Sequence, residues 1–377
     1  MVNAYAAFKL RCRFKILPCG GMENTFMIKT IGVLTSGGDA PGMNAAIRSV
    51  VRTALSRGVE CMGIYRGYRG LIEGDIHPLD MRSVSNIINH GGTILYSDRC
   101  PEFKTEAGMR EAIANCKRFG IDGIVTIGGD GTFRGATDMT EHGVPCVGLP
   151  GTIDNDITST DFSIGFDTAV NTTIEMVDRL RDTCESHARC NVVEVMGRDA
   201  GDIALQTAIA VGASAVAIKE IPFDEAGMIE ELKNSREKGK RNFIIIVSEG
   251  LPGYGEKLTG LIPEKTGIET RFARPAHVVR GGSPTLRDRM LGSEMGAAAV
   301  EALLEGKSNI VLCEQKGEIT TMDIGKALIL DRMYKDKLKD GDLQKFDAET
   351  VAWMREFCAE KFAAFKKMYD LSIEISK

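Results

Sequence analysis

The chain has 377 residues, 43% hydrophobic and 26% charged, a composition that builds a packed core, and its length allows about two or three domains. A formal net charge of −5 and an aromatic content of 6%, with one Trp, argue against nucleic-acid binding, which calls for a basic face or stacking aromatics. No run of about 18 apolar residues occurs, so no membrane-spanning helix is expected.

The first 26 residues, MVNAYAAFKLRCRFKILPCGGMENTF, carry Lys9, Arg11, Arg13 and Lys15 among their apolar positions, which breaks a secretory apolar region. They are expected to be an extension outside the fold, or an over-long start with Met27 the natural beginning. From Met27 a strand–turn–helix pattern repeats. IGVLT (31–35) predicts a strand, followed by SGGDAPG; GMNAAIRSVVRTALSRG predicts a helix with apolar positions 46, 47, 50, 51, 54 and 55, ended by Gly58. CMGIY (61–65) is a second strand, 109–119 a helix, GIVTIGGDG (123–131) a strand and turn, and CVGLP (146–150) a further strand. Helices are then expected at 167–181, 201–211 and 225–238, alternating with strands at 191–197, 215–219 and 242–250, and 351–372 reads as an amphipathic terminal helix packed on the core.

Buried strands alternating with helices imply an α/β fold: two doubly wound, Rossmann-like domains with parallel sheets and a cleft between them. The expected division is 27–164, completed by about 281–330, and 165–280, completed by C-terminal helices at about 331–377. LTSGGD (34–39) and VTIGGD (125–130) echo each other as two strand-to-glycine turns at one sheet end, where such sheets bind ligands. The ten cysteines form no CxxC pair, as expected of reduced, mostly buried thiols in a cytoplasmic protein.

Five stretches carry chemistry. In SGGDAPGMN (36–44) the glycines let backbone approach a ligand, and the helix start after Pro41 offers free amides as an anion site. GGDGT (128–132) puts one aspartate in a Gly-rich turn, where a carboxylate tolerates phosphate when a divalent cation stands between them; this points to Asp130 on a Mg²⁺ shell. In PGTIDND (150–156), Thr152, Asp154 and Asp156 share one side of an extended loop, and one carboxylate can take a proton from a hydroxyl acceptor. MGRDAGD (196–202) offers Arg198 to a transferring phosphoryl group, and RFARPAHVVRGGSP (271–284) clusters Arg271, Arg274, His277 and Arg280, suited to a sugar phosphate.

In this order SGGDAPGMNAAIR, GGDGT, PGTIDND, VVEVMGR and HVVRGGSP resemble the bacterial-type 6-phosphofructokinase family over residues 27–335. The resemblance implies Mg²⁺-dependent phosphoryl transfer from ATP to O1 of fructose 6-phosphate, with 27–164 the ATP-binding domain and 165–280 the sugar-phosphate domain. It further implies Asp154 as proton acceptor, Asp130 as the metal residue, Asp156 as support for both, and Thr152 and Arg198 as stabilisers of the phosphoryl group. The nucleotide site would comprise Gly38, Tyr68, Arg99, Cys100, Gly129, Asp130, Gly131 and Thr132. The sugar-phosphate site would comprise Thr152, Ile153, Asp154, Met196, Gly197, Arg198, Glu249, His277 and Arg280, with Arg189 and Arg271 donated to a neighbouring subunit of a homotetramer. The pyrophosphate-using branch typically has aspartate and lysine where this chain has Gly131 and Gly151, so ATP is the expected donor and pyrophosphate the alternative. Arg48, Arg52, Arg181 and Lys240 resemble an effector phosphate site. Met81 and Ser214 depart from its usual arginine and glutamate, so weakened or altered control by ADP or phosphoenolpyruvate is expected. A catalytically silent regulatory paralogue is disfavoured because Asp130, Asp154 and Asp156 are all present; a dinucleotide-binding dehydrogenase is disfavoured because the first turn lacks G-x-G-x-x-G.

Overall fold

A computed structural model describes residues 28–376; the expectations for residues 1–26 lie outside the described residues. Two sheets form the frame. The first contains β1 (Thr30–Ser36), β2 (Glu60–Ile64), β3 (Ile76–Pro78), β4 (Gly123–Gly128), β5 (Cys146–Pro150), β10 (Ile310–Gln315) and β11 (Glu318–Asp323), in the order β11-β10-β5-β4-β1-β2-β3. The second contains β6 (Cys190–Val195), β7 (Ala215–Ala217), β8 (Phe243–Ser248) and β9 (Thr270–Ala273), in the order β7-β8-β6-β9. All pairings in the smaller sheet are parallel. The larger sheet is parallel through its centre, but its edges β3 and β11 run antiparallel, a departure from the purely parallel expectation. β11 returns from β10 by the two-residue turn Lys316–Gly317, which only antiparallel pairing permits, whereas β3 returns to β2 through the longer connection 65–75.

β1, β4, β5, β6 and β8 are buried along their whole length, which explains their continuous apolar runs. Helices cover them: α1 (Met43–Ser56), α2 (Tyr68–Glu73), α3 (Glu106–Arg118), α4 (Asp130–Glu141), α9 (Leu286–Leu304) and α10 (Ile324–Tyr334) beside the larger sheet, and α5 (Phe166–His187), α6 (Asp202–Ala210), α7 (Glu225–Glu237) and α8 (Tyr254–Thr266) beside the smaller. The terminal helix α11 (Ala348–Ile375) packs on α10 and α6 through Met354, Cys358 and Phe365. α1 and α9 cross so closely that a Cβ at Gly296 would lie 2.7 Å from the Ala46 carbonyl oxygen. The eight cysteines among the described residues form no disulfide, and burial pushes the Cys61 and Cys116 thiols up to about 12, marking unreactive core side chains. Among the described residues no helix is long and apolar enough to cross a membrane.

Chain order runs from β1 outward to β2 and then back across β1 to β4, so the sheet reverses direction between β1 and β4. Register aligns Ser36 with Gly128 and Gly128 with Pro150. Loops 37–42 and 151–165 and the turn at Gly129 therefore leave the sheet side by side at the carboxyl end, where a crevice opens. In the smaller sheet Val195 is aligned with Ser248, which sets Met196–Arg198 beside Glu249.

Candidate active site

The three glycine- and aspartate-bearing loops and the 197–198 turn meet at a cleft of about 390 Å³. Its walls include Gly38, Asp130, Thr152, Asp154, Asp156 and Arg198. Thr152, Asp154 and Asp156 thus face one space, although Asn155 between the acids is left-handed (φ 52°) and the loop is not a plain extended segment. That turn is pinned: Asn155 Oδ1 accepts from Ser163 N at 2.9 Å, and Asn155 Nδ2 donates to the Asp161 carbonyl at 3.1 Å and to Asp202 Oδ1 at 3.3 Å.

Asp154 is the electrostatic centre. Its side chain is 1% exposed, Arg198 Nε lies 3.1 Å from Oδ2, and Oδ1 is buried with no partner among the described residues. A buried charged oxygen left unmatched costs about 1–3 kcal/mol or more. Burial pushes the Asp154 pKa up to about 6 and the neighbouring Asp156 adds to the rise, while Arg198 and Arg280 oppose it. Arg198 is delivered by a strained turn, with φ 144° at Gly197 and 53° at Arg198. Glu249 holds it: Oε1 accepts Gly197 N at 3.0 Å and Arg198 N at 2.7 Å. The Asp154 amide donates to Thr152 Oγ1 at 3.2 Å, which leaves the Thr152 hydroxyl proton available to a ligand.

On the side of β1 and β4, Gly129 caps α4 and Asp130 opens it, so the positive helix end faces the cleft. The expected anion site at the start of α1 is not there: residues 40–47 are buried, and the loop reaches the cleft through Ser36, Gly37 and Gly38. The close approach at Gly38 is real, because a Cβ there would lie 2.7 Å from Arg280 Nη1. Thr132 Oγ1 donates to the Ser36 carbonyl at 3.0 Å, tying the two glycine loops together. Tyr68 is buried, stacks on Phe103 at 4.1 Å and donates its hydroxyl to the Thr132 carbonyl at 2.6 Å, so it supports the loop from below. Arg99 and Cys100 line the rim.

The two glycines singled out for donor choice differ in their surroundings. A Cβ at Gly131 meets nothing within 4 Å, so a side chain there would enter open cleft. A Cβ at Gly151 would lie 2.9 Å from Ile127 Cγ2 and 3.0 Å from Met43 Cε; this glycine answers to packing beneath the loop, and only Gly131 bears on room for a ligand.

A second pocket of about 370 Å³ adjoins Met196, Glu249, Arg274 and His277. Arg274 is spoken for, with Nε 2.7 Å from Glu194 Oε1 and Nη2 2.9 Å from Glu256 Oε1, whereas His277 is exposed. Ile153 does not offer its side chain to either pocket; it is fully buried in the core. Arg189 and Arg271 line neither space and instead share Glu269, at 2.9 and 2.5 Å. Arg48 and Arg52 stand on α1, and Arg52 Nη2 donates to the Met81 carbonyl at 3.5 Å. Arg181 and Lys240 lie together beside the smaller sheet; Arg181 donates to Asn242 Oδ1 and to the Val211 carbonyl, and burial holds the Lys240 ammonium below its ordinary pKa.

Two cations at the site were not anticipated. Arg134 Nη2 lies 2.7 Å from Asp130 Oδ2, a pair legible from its i,i+4 spacing on α4. Lys335 Nζ donates to the Asp156 carbonyl at 2.6 Å and lies 3.3 Å from Asp156 Oδ2, a contact across 179 residues that no local pattern signals.

The family sequence model for Phosphofructokinase matches residues 30–303. The chain is 54% identical over 297 residues to the ATP-dependent 6-phosphofructokinase of Bacillus subtilis, covering 79% of this chain and 93% of that protein. It is 51% identical over 313 residues to the ATP-dependent 6-phosphofructokinase of Clostridium botulinum (strain Loch Maree / Type A3), covering 83% and 98%. Among solved structures, phosphofructokinase from Saccharomyces cerevisiae superposes with a TM-score of 0.77 at 33% identity, covering 87% of this chain and 50% of that one. A buried carboxylate on the loop after β5, beside the glycine turns after β4 and β1 where the strand order of a parallel sheet reverses, and a family match over residues 30–303 lead to one conclusion: the chain belongs to the phosphofructokinase family.

Proposed function

We infer that the protein is an ATP-dependent 6-phosphofructokinase, transferring the γ-phosphoryl group of ATP to O1 of fructose 6-phosphate. The observation that carries the mechanism is Asp154: a buried carboxylate with one oxygen on Arg198 and the other unmatched, on the wall of the cleft. The sugar occupies the space between Asp154 and the pocket at Met196, Glu249 and His277, with Arg280 near its phosphate. The C1 hydroxyl gives its proton to Asp154 Oδ1 as O1 attacks the γ-phosphorus. The bond to the bridging oxygen breaks and ADP leaves. Arg198 and the Thr152 hydroxyl take up charge on the equatorial oxygens, and the start of α4 at Gly129, Gly131 and Thr132 faces the donor phosphates.

Magnesium fits the donor set. Among the described residues no group of three acids, histidines or cysteines could hold a cation unaided. The single half-exposed carboxylate of Asp130, joined by phosphate oxygens, matches the way Mg²⁺ is held in kinases. Bound there, Mg²⁺ would neutralise charge on the donor phosphates; Asp130 would hold it, with Asp156 supporting this region, in competition with the Arg134 pair now on Asp130. Arg189, half-buried, and Arg271, exposed, stand beside Glu269 and are suited to a neighbouring subunit's sugar phosphate in a homotetramer, and the effector reading of Arg48, Arg52, Arg181 and Lys240 belongs to the same assembly. The place of action is the cytoplasm, as for a glycolytic enzyme.

A coupled assay with ATP and with pyrophosphate tests the reading. Turnover with ATP is expected to exceed that with pyrophosphate by orders of magnitude; preference for pyrophosphate rejects it. The pH profile follows from Asp154, which must be ionised to accept a proton. Because its pKa is about 6, kcat/KM should rise as pH climbs through 6 and level above it. A flat profile between pH 5 and 7 (about the span that a single group titrates) would remove Asp154 from the role of base.

A further inference from the structure

The loop that carries Thr152, Asp154 and Asp156 is held from behind by side chains beyond residue 303, where the family match ends. Asp331 and Lys335 lie four residues apart at the end of α10, on one face. Asp331, buried, accepts the Thr158 amide at 2.5 Å, and Lys335 donates to the Asp156 carbonyl at 2.6 Å while pairing with its carboxylate at 3.3 Å. From α11, Lys361 donates to the Thr158 carbonyl at 2.7 Å and to the Thr160 carbonyl. These three side chains thus serve the main chain of residues 156–160, and Lys335 and Lys361 line a cavity of about 660 Å³ that shares Asp156 with the reaction cleft. Among the described residues nothing else hydrogen-bonds to or pairs with the Asp156 side chain, which is 14% exposed.

We propose that Lys335 and Lys361 are positioning residues for phosphoryl transfer: the C-terminal helices brace the reaction loop so that Asp154 and Asp156 keep the spacing the reaction needs. Asn155 is left-handed and its side chain ties the loop to Asp161 and Ser163, while the carbonyls at 156, 158 and 160 between them are taken up by Lys335 and Lys361 of the C-terminal helices. An ammonium donates up to three bonds, so one lysine can fix two carbonyls, or a carbonyl and a carboxylate, at once. Neither lysine lines the reaction cleft, so each acts through the loop.

The proposal rests on the kinase reading, and wild-type activity with ATP and fructose 6-phosphate separates the two: without it the kinase reading fails, and with it the variants judge the brace. Lys335→Met and Lys361→Met, assayed well below their melting temperatures, should each lower kcat by about 10- to 100-fold, since small misplacements of reacting groups cost that much. KM for both substrates should stay within about threefold, because the binding surfaces are untouched. Lys335→Arg, which keeps the charge and the donors, should restore most of kcat. Lys361→Met is the decisive arm, since it leaves the Asp156 ion pair in place. Unchanged kcat in Lys361→Met, or a fall in thermal stability with kcat of the folded enzyme intact, would overturn the brace.

Discussion

Asp154→Ser is expected to lower kcat about 10³-fold while sugar-phosphate binding survives, the loss typical of a positioned general base. The serine hydroxyl cannot hold the proton that the C1 oxygen must shed. The substitution also frees Arg198, whose Nε now lies 3.1 Å from Asp154 Oδ2, to pair with substrate oxygens. Binding of fructose 6-phosphate should therefore hold or tighten, and calorimetry beside a coupled assay would separate this from misfolding. Because Asp154 is a buried acid whose charged form burial disfavours, its removal is not expected to unfold the protein. A kcat within about tenfold of wild type would mean that another group takes the proton.

Gly131→Asp is expected to lower kcat/KM for ATP by about 100-fold, equivalent to about 2.7 kcal/mol. The position is the second residue of α4, and a Cβ there meets nothing within 4 Å, so the variant has room to fold. An acid in the first turn is even favourable to the helix. Its carboxylate would stand in the cleft against the donor phosphates, where like charges close together cost several kcal/mol. The loss should fall on the nucleotide, with fructose 6-phosphate affinity retained in a binding titration. Adding Gly151→Lys is a less clean experiment, because that side chain would collide with Ile127 and Met43. Unchanged kcat/KM for ATP in Gly131→Asp would show that this position does not face the nucleotide.

The parts legible in the sequence were those written in neighbouring residues. Continuous apolar runs mark β1, β4 and β5, and glycine after each marks the loops that their register sets together. The Arg134–Asp130 pair follows from helical spacing. The sheet edges were missed for a physical reason. β3 has three residues, and β11 is largely exposed with mixed polarity, so neither shows a buried run. The β10–β11 hairpin carries one local signal, the glycine of Lys316-Gly317, where the chain turns with positive φ at both residues. α9 is packed on several sides and so lacks the single apolar stripe that betrays a surface helix. The start of α1 looked like a phosphate site because glycine and proline precede it; tertiary packing buries it instead. Lys335 and Lys361 reach the loop across 179 and 203 residues, and only the fold brings them there.

The most direct measurement is a crystal structure of the full chain with Mg²⁺, a non-hydrolysable ATP analogue and fructose 6-phosphate. The account predicts the C1 hydroxyl within about 2.6–3.2 Å of Asp154 Oδ1, in line with the terminal phosphate, and the phosphate chain running over Gly131 to Asp130. A terminal phosphate bound away from the 129–132 turn, or a C1 hydroxyl facing some other base, would contradict it.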